Sequence, residues 1–135
     1  AKNSIHPLIA THSNAHAICP HTRNLTDRQL DAIKDTKGMV GVNFAPAFLR
    51  KDGKMLSDTN IQLIADHFKY LIDYLGEDHV GFGSDFDGAM MPKDLRSVLG
   101  MSKLTQLLVD QGFNDNLMHK IYHQNWLEII KHILK

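Results

Sequence analysis

Three short apolar runs, separated by stretches with helical spacing, constrain the fold of this chain most strongly. They cover residues 7–11, 39–44 and 79–83. Each run is apolar throughout rather than alternating, which is typical of strands covered on both faces of a parallel sheet. The alternation of strands and helices therefore predicts an α/β fold with parallel strands and right-handed crossovers.

The intervening segments carry recognisable helix signals. Thr26 followed by Gln29 is a capping-box pattern, and Gly38 is expected to end that helix as its C′ residue. A second helix is expected to begin at Ser57 or Asp58 and to end before Gly76. Two further helices are predicted over residues 102–111 and 114–134, the latter with a break at residues 125–126.

Three strands are too few for a complete sheet of this kind. A flavodoxin-like sheet has about five strands, and buried-type strands with open edges are a liability. The count indicates that further strands come from elsewhere. The chain begins with Ala1 rather than Met, so we expect either a removed leader or a piece of a longer protein.

Composition argues against several functional classes. Fifteen basic residues balance fifteen acidic ones, which disfavours nucleic acid and anionic membrane as partners. No apolar run approaches the roughly 18 residues of a membrane span, and residues 1–10 lack a signal-peptide layout. Cys19 is the only cysteine, so an intrachain disulfide is excluded and a reducing compartment fits.

Polar residues follow each predicted strand at its carboxyl end, namely His12, Asn43 and Asp85. Active-site groups of parallel α/β folds project from these ends. His12 is suited to bind zinc, although a hydrogen bond to a loop carbonyl is the alternative. Asp85 either faces such a site or shapes a turn, with Asp87 as a loop or cap residue and a magnesium-binding pair as a weaker alternative. We expect His12 and Asp85 to lie on one rim.

Arg23 follows the first strand after a short loop. Its planar guanidinium would suit a substrate carboxylate, although a solvated surface arginine is the ordinary alternative. A rival arrangement would group His12, His16, Cys19 and His21 around one structural zinc, but their spacing matches no standard zinc finger.

Several linked motifs together resemble the membrane (renal) dipeptidase family, in the same order and with similar gaps. They are residues 7–15, 40–44, 80–88 and 125–127, together with Cys19 and the pair Arg23–Asn24. The resemblance covers essentially the whole chain. It implies a (β/α)8 TIM-type barrel, of which residues 1–135 would be the C-terminal part, about the last three strand–helix units of a single barrel domain.

The family resemblance also implies roles for individual residues. His12 would be a zinc ligand at the end of the sixth strand, and Arg23 would hold the substrate's carboxylate. Asp85, after the eighth strand, would contact the substrate's amino end and handle a proton. The family's other zinc ligands, a His-x-Asp pair, a bridging glutamate and another histidine, would precede this chain, while His6 and His16 match no ligand position.

The implied protein is a zinc-dependent dipeptidase with two zinc ions in the full-length enzyme and a cytoplasmic location. We expect the 135-residue chain alone to be inactive and to cover its open sheet edges by self-association or strand exchange. Two alternatives stay open. One is another barrel amidohydrolase, such as a deaminase or acylase, and the other is a non-enzymatic, self-associating binding module.

Overall fold

The computed structural model describes residues 6–134 and is built around a three-stranded parallel sheet. The strands are β1 (Ile9–Ala10), β2 (Met39–Val42) and β3 (Val80–Phe82), in the order β1–β2–β3. β2 lies in the middle, where Val40 pairs with Ala10 on one side and with Val80 on the other. The predicted parallel α/β arrangement is confirmed, although each strand is shorter than its apolar run.

Residues 1–5 and 135 lie outside the described residues. The expectations for residues 1–10, and for a single domain over residues 1–135, therefore extend beyond the described residues.

Six α-helices lie within the described part of the chain. They are α1 (Asp27–Asp35), α2 (Pro46–Leu49), α3 (Gln62–Leu75), α4 (Met101–Asp110), α5 (Asp115–His119) and α6 (Asn125–Ile133), and short 3-10 turns span Glu77–His79, Lys93–Leu95 and Val98–Gly100. A π-helical turn at Lys120–Gln124 joins α5 to α6, close to the break predicted at residues 125–126. Among residues 6–134, no helix combines the length and the apolar character that a bilayer crossing demands.

One face of the sheet is buried against helices. Val40, Val42 and Val80 are fully buried and belong to a single hydrophobic cluster. Alternate strand residues point to the same face, so these three valines form a continuous apolar surface. The helices contribute Leu30 and Ile33 from α1, Ile64, Phe68 and Leu71 from α3, and Leu104 and Leu108 from α4. The apolar face of α3 is therefore part of the core.

The opposite face of the sheet carries glycines and is covered by Trp126 of α6. A Cβ atom at Gly41 would lie 2.9 Å from Trp126 Cζ2, and one at Gly81 would lie 2.7 Å from Trp126 Nε1. Larger side chains at these two positions would collide with the indole ring. The glycines therefore allow α6 to approach the strands closely.

The outer edge of β3 is covered by side chains from α6. Gly83 donates its amide hydrogen to Val42 on the β2 side. Since carbonyls alternate in direction along a strand, those of Val80 and Phe82 point away from β2. Asn125 Nδ2 lies 2.8 Å from Val80 O, and Trp126 Nε1 lies 3.0 Å from Phe82 O. The edge of β3 was expected to be open, but two of its carbonyl oxygens thus accept hydrogen bonds from α6.

The start of α1 follows the sequence pattern, but its end does not. Gln29 Oε1 accepts a hydrogen bond from Thr26 N at 2.9 Å, as expected for the capping box. The left-handed residue after the helix is Lys37, with φ of 53°, and not Gly38. Glycine is instead required at position 38 because a Cβ there would lie 1.9 Å from Leu8 O.

The start of α3 was also predicted wrongly, since the helix begins at Gln62 rather than near Ser57 or Asp58. Asn60 Oδ1 accepts a hydrogen bond from Gln62 N at 2.9 Å and satisfies a free amide of the first turn. Ser57 O accepts from Lys93 N at 2.7 Å, and Asp58 pairs with Lys93 Nζ at 2.6 Å. The two predicted caps are thus engaged with a later loop.

Candidate functional site

The carboxyl ends of the three strands lie very close together, and these ends with the loops that follow them form the rim of the sheet. A Cβ atom at Gly41 would lie 2.2 Å from Thr11 O, and one at Gly83 would lie 2.1 Å from the same oxygen. Glycine at both positions therefore permits the approach of Thr11. Ser13 N donates to Gly41 O at 2.8 Å, so the chain stays bonded to β2 on both sides of His12.

His12 lies on this rim with its imidazole half-buried. Its Nδ1 atom lies 2.7 Å from the Thr11 hydroxyl oxygen. In the tautomer that donates from Nδ1 to Thr11, the Nε2 atom carries the free lone pair. Metal-binding histidines are commonly oriented by a hydrogen bond of this kind at the second ring nitrogen. The local geometry suits His12 as one metal ligand.

Asp85 follows β3 in a tight turn that directs its carboxylate onto the rim. Its Oδ2 atom accepts a hydrogen bond from Asn43 Nδ2 at 3.0 Å. Asp85 and Asp87 both have left-handed backbone, with φ of 61° and 66°, and Gly88 N closes the turn on Asp85 O at 3.1 Å. Aspartate tolerates this conformation better than most residues. Asp85 was expected either to shape a turn or to face the rim, and it does both.

Buried groups beneath the rim hold these loops in place. The ring of Phe86 packs edge-on against Phe44, with centroids 6.1 Å apart. His67 of α3 accepts a hydrogen bond from Ala15 N at 3.2 Å, and its Nε2 lies 3.4 Å from Leu49 O. Burial lowers the pKa of His67 to about 4 because the charged imidazolium would lose its hydration. The neutral imidazole of His67 therefore links α3 to the loops that carry Ala15 and Leu49.

Arg23 is exposed and lies against Phe48 of α2. Its guanidinium carbon is 5.2 Å from the centre of the Phe48 ring, a cation–π distance. The His21 ring packs edge-on against Phe48 at 4.9 Å and accepts a hydrogen bond from Arg23 N at 3.1 Å. The aromatic ring thus limits the positions of a guanidinium that still faces solvent.

Three buried asparagines, Asn14, Asn24 and Asn43, connect the rim loops. Asn14 Nδ2 donates to Asn43 O at 2.9 Å and to Phe48 O at 3.1 Å, while its Oδ1 accepts from Asn43 N at 2.9 Å. Asn24 Nδ2 donates to Phe48 O and to Cys19 O, both at 2.9 Å. This asparagine framework links the Asp85 side of the rim to the Arg23 side. From the sequence, Asn43 was expected only as an amide at a strand end, and no role was predicted for Phe48.

The structure brings His12 and Asp85 to the same rim, on either side of Asn43. Asn43 Nδ2 lies 3.0 Å from Asp85 Oδ2 and 3.5 Å from the His12 carbonyl oxygen. These positions agree with the geometry expected from the strand ends. Within residues 6–134, no direct hydrogen bond or ion pair joins Arg23 to His12 or Asp85, and the asparagine framework makes the connection. The chemical roles of the three residues remain predictions.

The described residues do not form a complete metal site. No group of three or more histidine, cysteine, aspartate or glutamate side chains among them is arranged to hold a metal ion. Cys19 is buried and donates from Sγ to Arg50 O at 2.9 Å, and burial raises the pKa of its thiol. The rival zinc arrangement of His12, His16, Cys19 and His21 is therefore not supported.

A cavity of about 470 Å³ lies beside the Asp85 turn. Its lining includes the side chains of Phe86, Asp87, Met91 and Arg96. The loop that follows Asp85 therefore borders a concave space lined by apolar and charged residues.

The sequence profile of the family described as membrane dipeptidase (peptidase family M19) matches residues 2–135. The chain belongs to the M19 membrane dipeptidase family. A metallopeptidase of this fold from Rhodobacter sphaeroides, solved with a phosphinate mimic of the dipeptide L-Ala-D-Ala, superposes with a TM-score of 0.93 and 48% identity. The match covers 96% of this chain and 37% of the Rhodobacter chain.

Two further relatives are known from sequence. A protein encoded in the pqqA 5′ region of Klebsiella pneumoniae is 50% identical over 98% of this chain and 49% of its own length. Dipeptidase tcpJ of Claviceps purpurea is 31% identical over 96% of this chain and 30% of its own length. The chain thus spans half or less of the length of these two relatives.

The M19 match confirms the predicted family and the α/β fold class. The close superposition on little more than a third of the Rhodobacter chain is consistent with a C-terminal part of a barrel. At the level of the family, the chain is related to metal-dependent dipeptidases.

Proposed function

We propose that this chain supplies the substrate-holding rim of a zinc-dependent dipeptidase and that the other metal ligands belong to a longer protein. The observation that carries the proposal is the convergence of His12 and Asp85 around Asn43. It lies at the carboxyl ends of parallel strands, where barrel enzymes carry their active sites. Membership of the M19 family and the partial coverage of its members support the same conclusion.

His12 would provide one ligand of a binuclear zinc site. Its hydrogen bond with Thr11 favours a fixed ring orientation. One imidazole is too few for a catalytic zinc, which usually has about three protein ligands. When bound, the metal would polarise the scissile carbonyl as a Lewis acid.

Arg23 would hold the C-terminal carboxylate of the dipeptide. Its guanidinium is exposed, and stacking on Phe48 reduces the number of positions it can adopt. A planar guanidinium can donate two parallel hydrogen bonds to one carboxylate. Such a contact would fix the register of the substrate along the rim and orient its peptide bond.

Asp85 would contact the amino end of the substrate. Its carboxylate is held on the rim by Asn43 rather than by a cation, since no ion pair of the described residues includes Asp85. A charged carboxylate there would attract the substrate's ammonium group and could accept or return a proton during hydrolysis. Arg23 and Asp85 together would select a molecule with a cation at one end and an anion at the other.

The proposed substrates are dipeptides, including some with a D-residue, as the ligand of the Rhodobacter relative suggests. Self-association or strand exchange through the outer edge of β1, which pairs with no further strand among residues 6–134, is proposed as the way in which the chain covers this edge. A cytoplasmic location is also proposed, on the ground that Cys19 is a buried free thiol.

The proposal is tested by assaying the purified full-length protein, loaded with zinc, against three substrate panels. The panels are dipeptides with and without D-residues, N-acylated amino acids, and amine-bearing nucleobases. We expect hydrolysis of dipeptides alone, and a large fall in kcat/KM in Asp85→Ala that leaves a measurable residual rate. Hydrolysis confined to acylated amino acids or release of ammonia from nucleobases would favour the acylase or deaminase alternative. No turnover on any panel would favour the non-enzymatic alternative.

A further inference from the structure

We propose that Asn43 is a positioning residue that fixes the Asp85 carboxylate relative to His12. The inference rests on the proposed function, because it matters for catalysis only if Asp85 contacts the substrate. The described contacts of Asn43 are with protein groups, so Asn43 would act on the substrate through Asp85.

The orientation of the Asn43 amide is determined by its neighbours. Its Oδ1 atom accepts a hydrogen bond from Ala45 N at 2.7 Å, so the opposite atom must be the donor Nδ2. That donor faces Asp85 Oδ2 at 3.0 Å. Asn43 is fully buried, and its backbone N and O are both bonded to Asn14. The side chain therefore has one orientation in which all of these contacts are satisfied.

On its other side, the Asp85 carboxylate has room because residue 88 is a glycine. A Cβ atom there would lie 2.3 Å from Asp85 Oδ1. The left-handed backbone of Asp85, with φ of 61°, is a conformation that needs support from its surroundings. The Asn43 hydrogen bond provides such support from one side, and Gly88 leaves room on the other.

Asn43 also couples this turn to the loop that carries His12. Asn14 lies two residues beyond His12 and exchanges two 2.9 Å hydrogen bonds with the Asn43 backbone. Asn43 Nδ2 additionally lies 3.5 Å from His12 O. The same residue thus contacts both loops and sets the separation between the proposed metal ligand and the proposed substrate contact. Displacement of a reacting group by about 1 Å can cost roughly 10²-fold in rate.

Asn43→Asp separates this positioning role from a merely structural one. Aspartate has nearly the same shape and keeps an oxygen that accepts from Ala45 N. It replaces the donor that faces Asp85 with a second carboxylate oxygen, which repels Asp85. A structural role in closing the loop would survive this change, whereas the orientation of Asp85 would not.

The experiment is a double-mutant cycle with Asp85→Ala in the full-length, zinc-loaded protein, measured as kcat/KM for dipeptide hydrolysis. We expect Asn43→Asp alone to lower kcat/KM by roughly tenfold or more. In the Asp85→Ala background, the same substitution should change it by less than about twofold, because no carboxylate remains to be positioned. Asn116→Ala, at an exposed amide of α5, is the matched control and should behave as wild type.

Gly88→Ala is the second variant, and it decides the question if Asn43→Asp fails to fold. It crowds Asp85 Oδ1 and should reproduce the loss of activity and the lack of effect in the Asp85→Ala background. Wild-type kinetics in Asn43→Asp, or an equal loss with and without Asp85, would overturn the inference. If Asp85→Ala itself keeps wild-type kcat/KM, the role proposed for Asp85 fails, and this result is distinguishable from failure of the Asn43 inference alone.

Discussion

Trp126 donates a hydrogen bond from its indole Nε1 to the carbonyl oxygen of Phe82, 3.0 Å away, on the outer edge of β3. Together with Asn125, whose Nδ2 bonds to Val80 O, it occupies the acceptors that another strand would use. Exposed strand edges promote pairing with other chains. The C-terminal helix therefore protects β3 as well as covering the glycine face of the sheet.

Trp126→Phe should destabilise the 135-residue chain and increase its association. Phenylalanine keeps most of the ring over Gly41 and Gly81 but removes the donor, so Phe82 O loses its partner. We expect a loss of about 1 kcal/mol in the free energy of unfolding and a higher apparent mass by size exclusion with light scattering. Leu127→Ala, at an exposed position of the same helix, is the control. Equal stability and mass in wild type and Trp126→Phe would contradict the edge-protection role.

Stability should fall with acidification through His67. Its pKa is about 4 in the folded protein, below the ordinary value of 6.5, so the unfolded chain binds a proton more readily. The neutral imidazole contributes fully above pH 6.5, and its contribution is lost as the pH falls from 6.5 towards 4. We expect a slope of at most about 1.4 kcal/mol per pH unit in this window from this group.

His67→Asn should remove that slope and should cost stability near neutral pH. The measurement is the free energy of unfolding by urea at several pH values between 7.5 and 4.5. His132→Asn, at an exposed position of α6, should keep the wild-type pH dependence. A wild-type slope in His67→Asn would assign the acid sensitivity to other groups.

The three strands could be predicted from the sequence because continuous apolar runs carry that information locally. The positions of His12 and Asp85 followed from their place directly after two of these runs, since parallel strands end at a common rim. The boundaries of α3 could not be predicted in the same way. Ser57 and Asp58 resemble helix caps, but both are engaged with Lys93, a residue 35 positions after Asp58.

The asparagine framework lay beyond sequence analysis for a similar reason. Asn14 bonds to the backbone of Asn43 and Phe48, 29 and 34 residues away. Its acceptors are carbonyl groups, which every residue possesses, so the sequence does not identify the partners. The cover provided by Trp126 on the β3 edge was missed because it joins positions 44 residues apart.

Arg23→Lys in the full-length enzyme should raise KM for dipeptides by roughly tenfold or more, with a smaller change in kcat. Lysine keeps the charge but loses the planar pair of donors, and hydrogen bonds between charged groups contribute about 1.5–3 kcal/mol. Steady-state kinetics with Arg28→Lys, at an exposed position of α1, as the control would measure the effect. A KM indistinguishable from that of Arg28→Lys would make Arg23 an ordinary surface arginine.

We propose that this chain carries the substrate-holding rim but not a complete metal centre. It is tested most directly by measuring zinc content after dialysis, and dipeptide turnover, for the purified 135-residue chain. We predict substoichiometric zinc and no turnover above background, because His12 alone falls short of the roughly three ligands of a catalytic zinc. Tight, stoichiometric zinc together with robust dipeptide hydrolysis by these 135 residues would show that the chain holds a complete metal centre by itself.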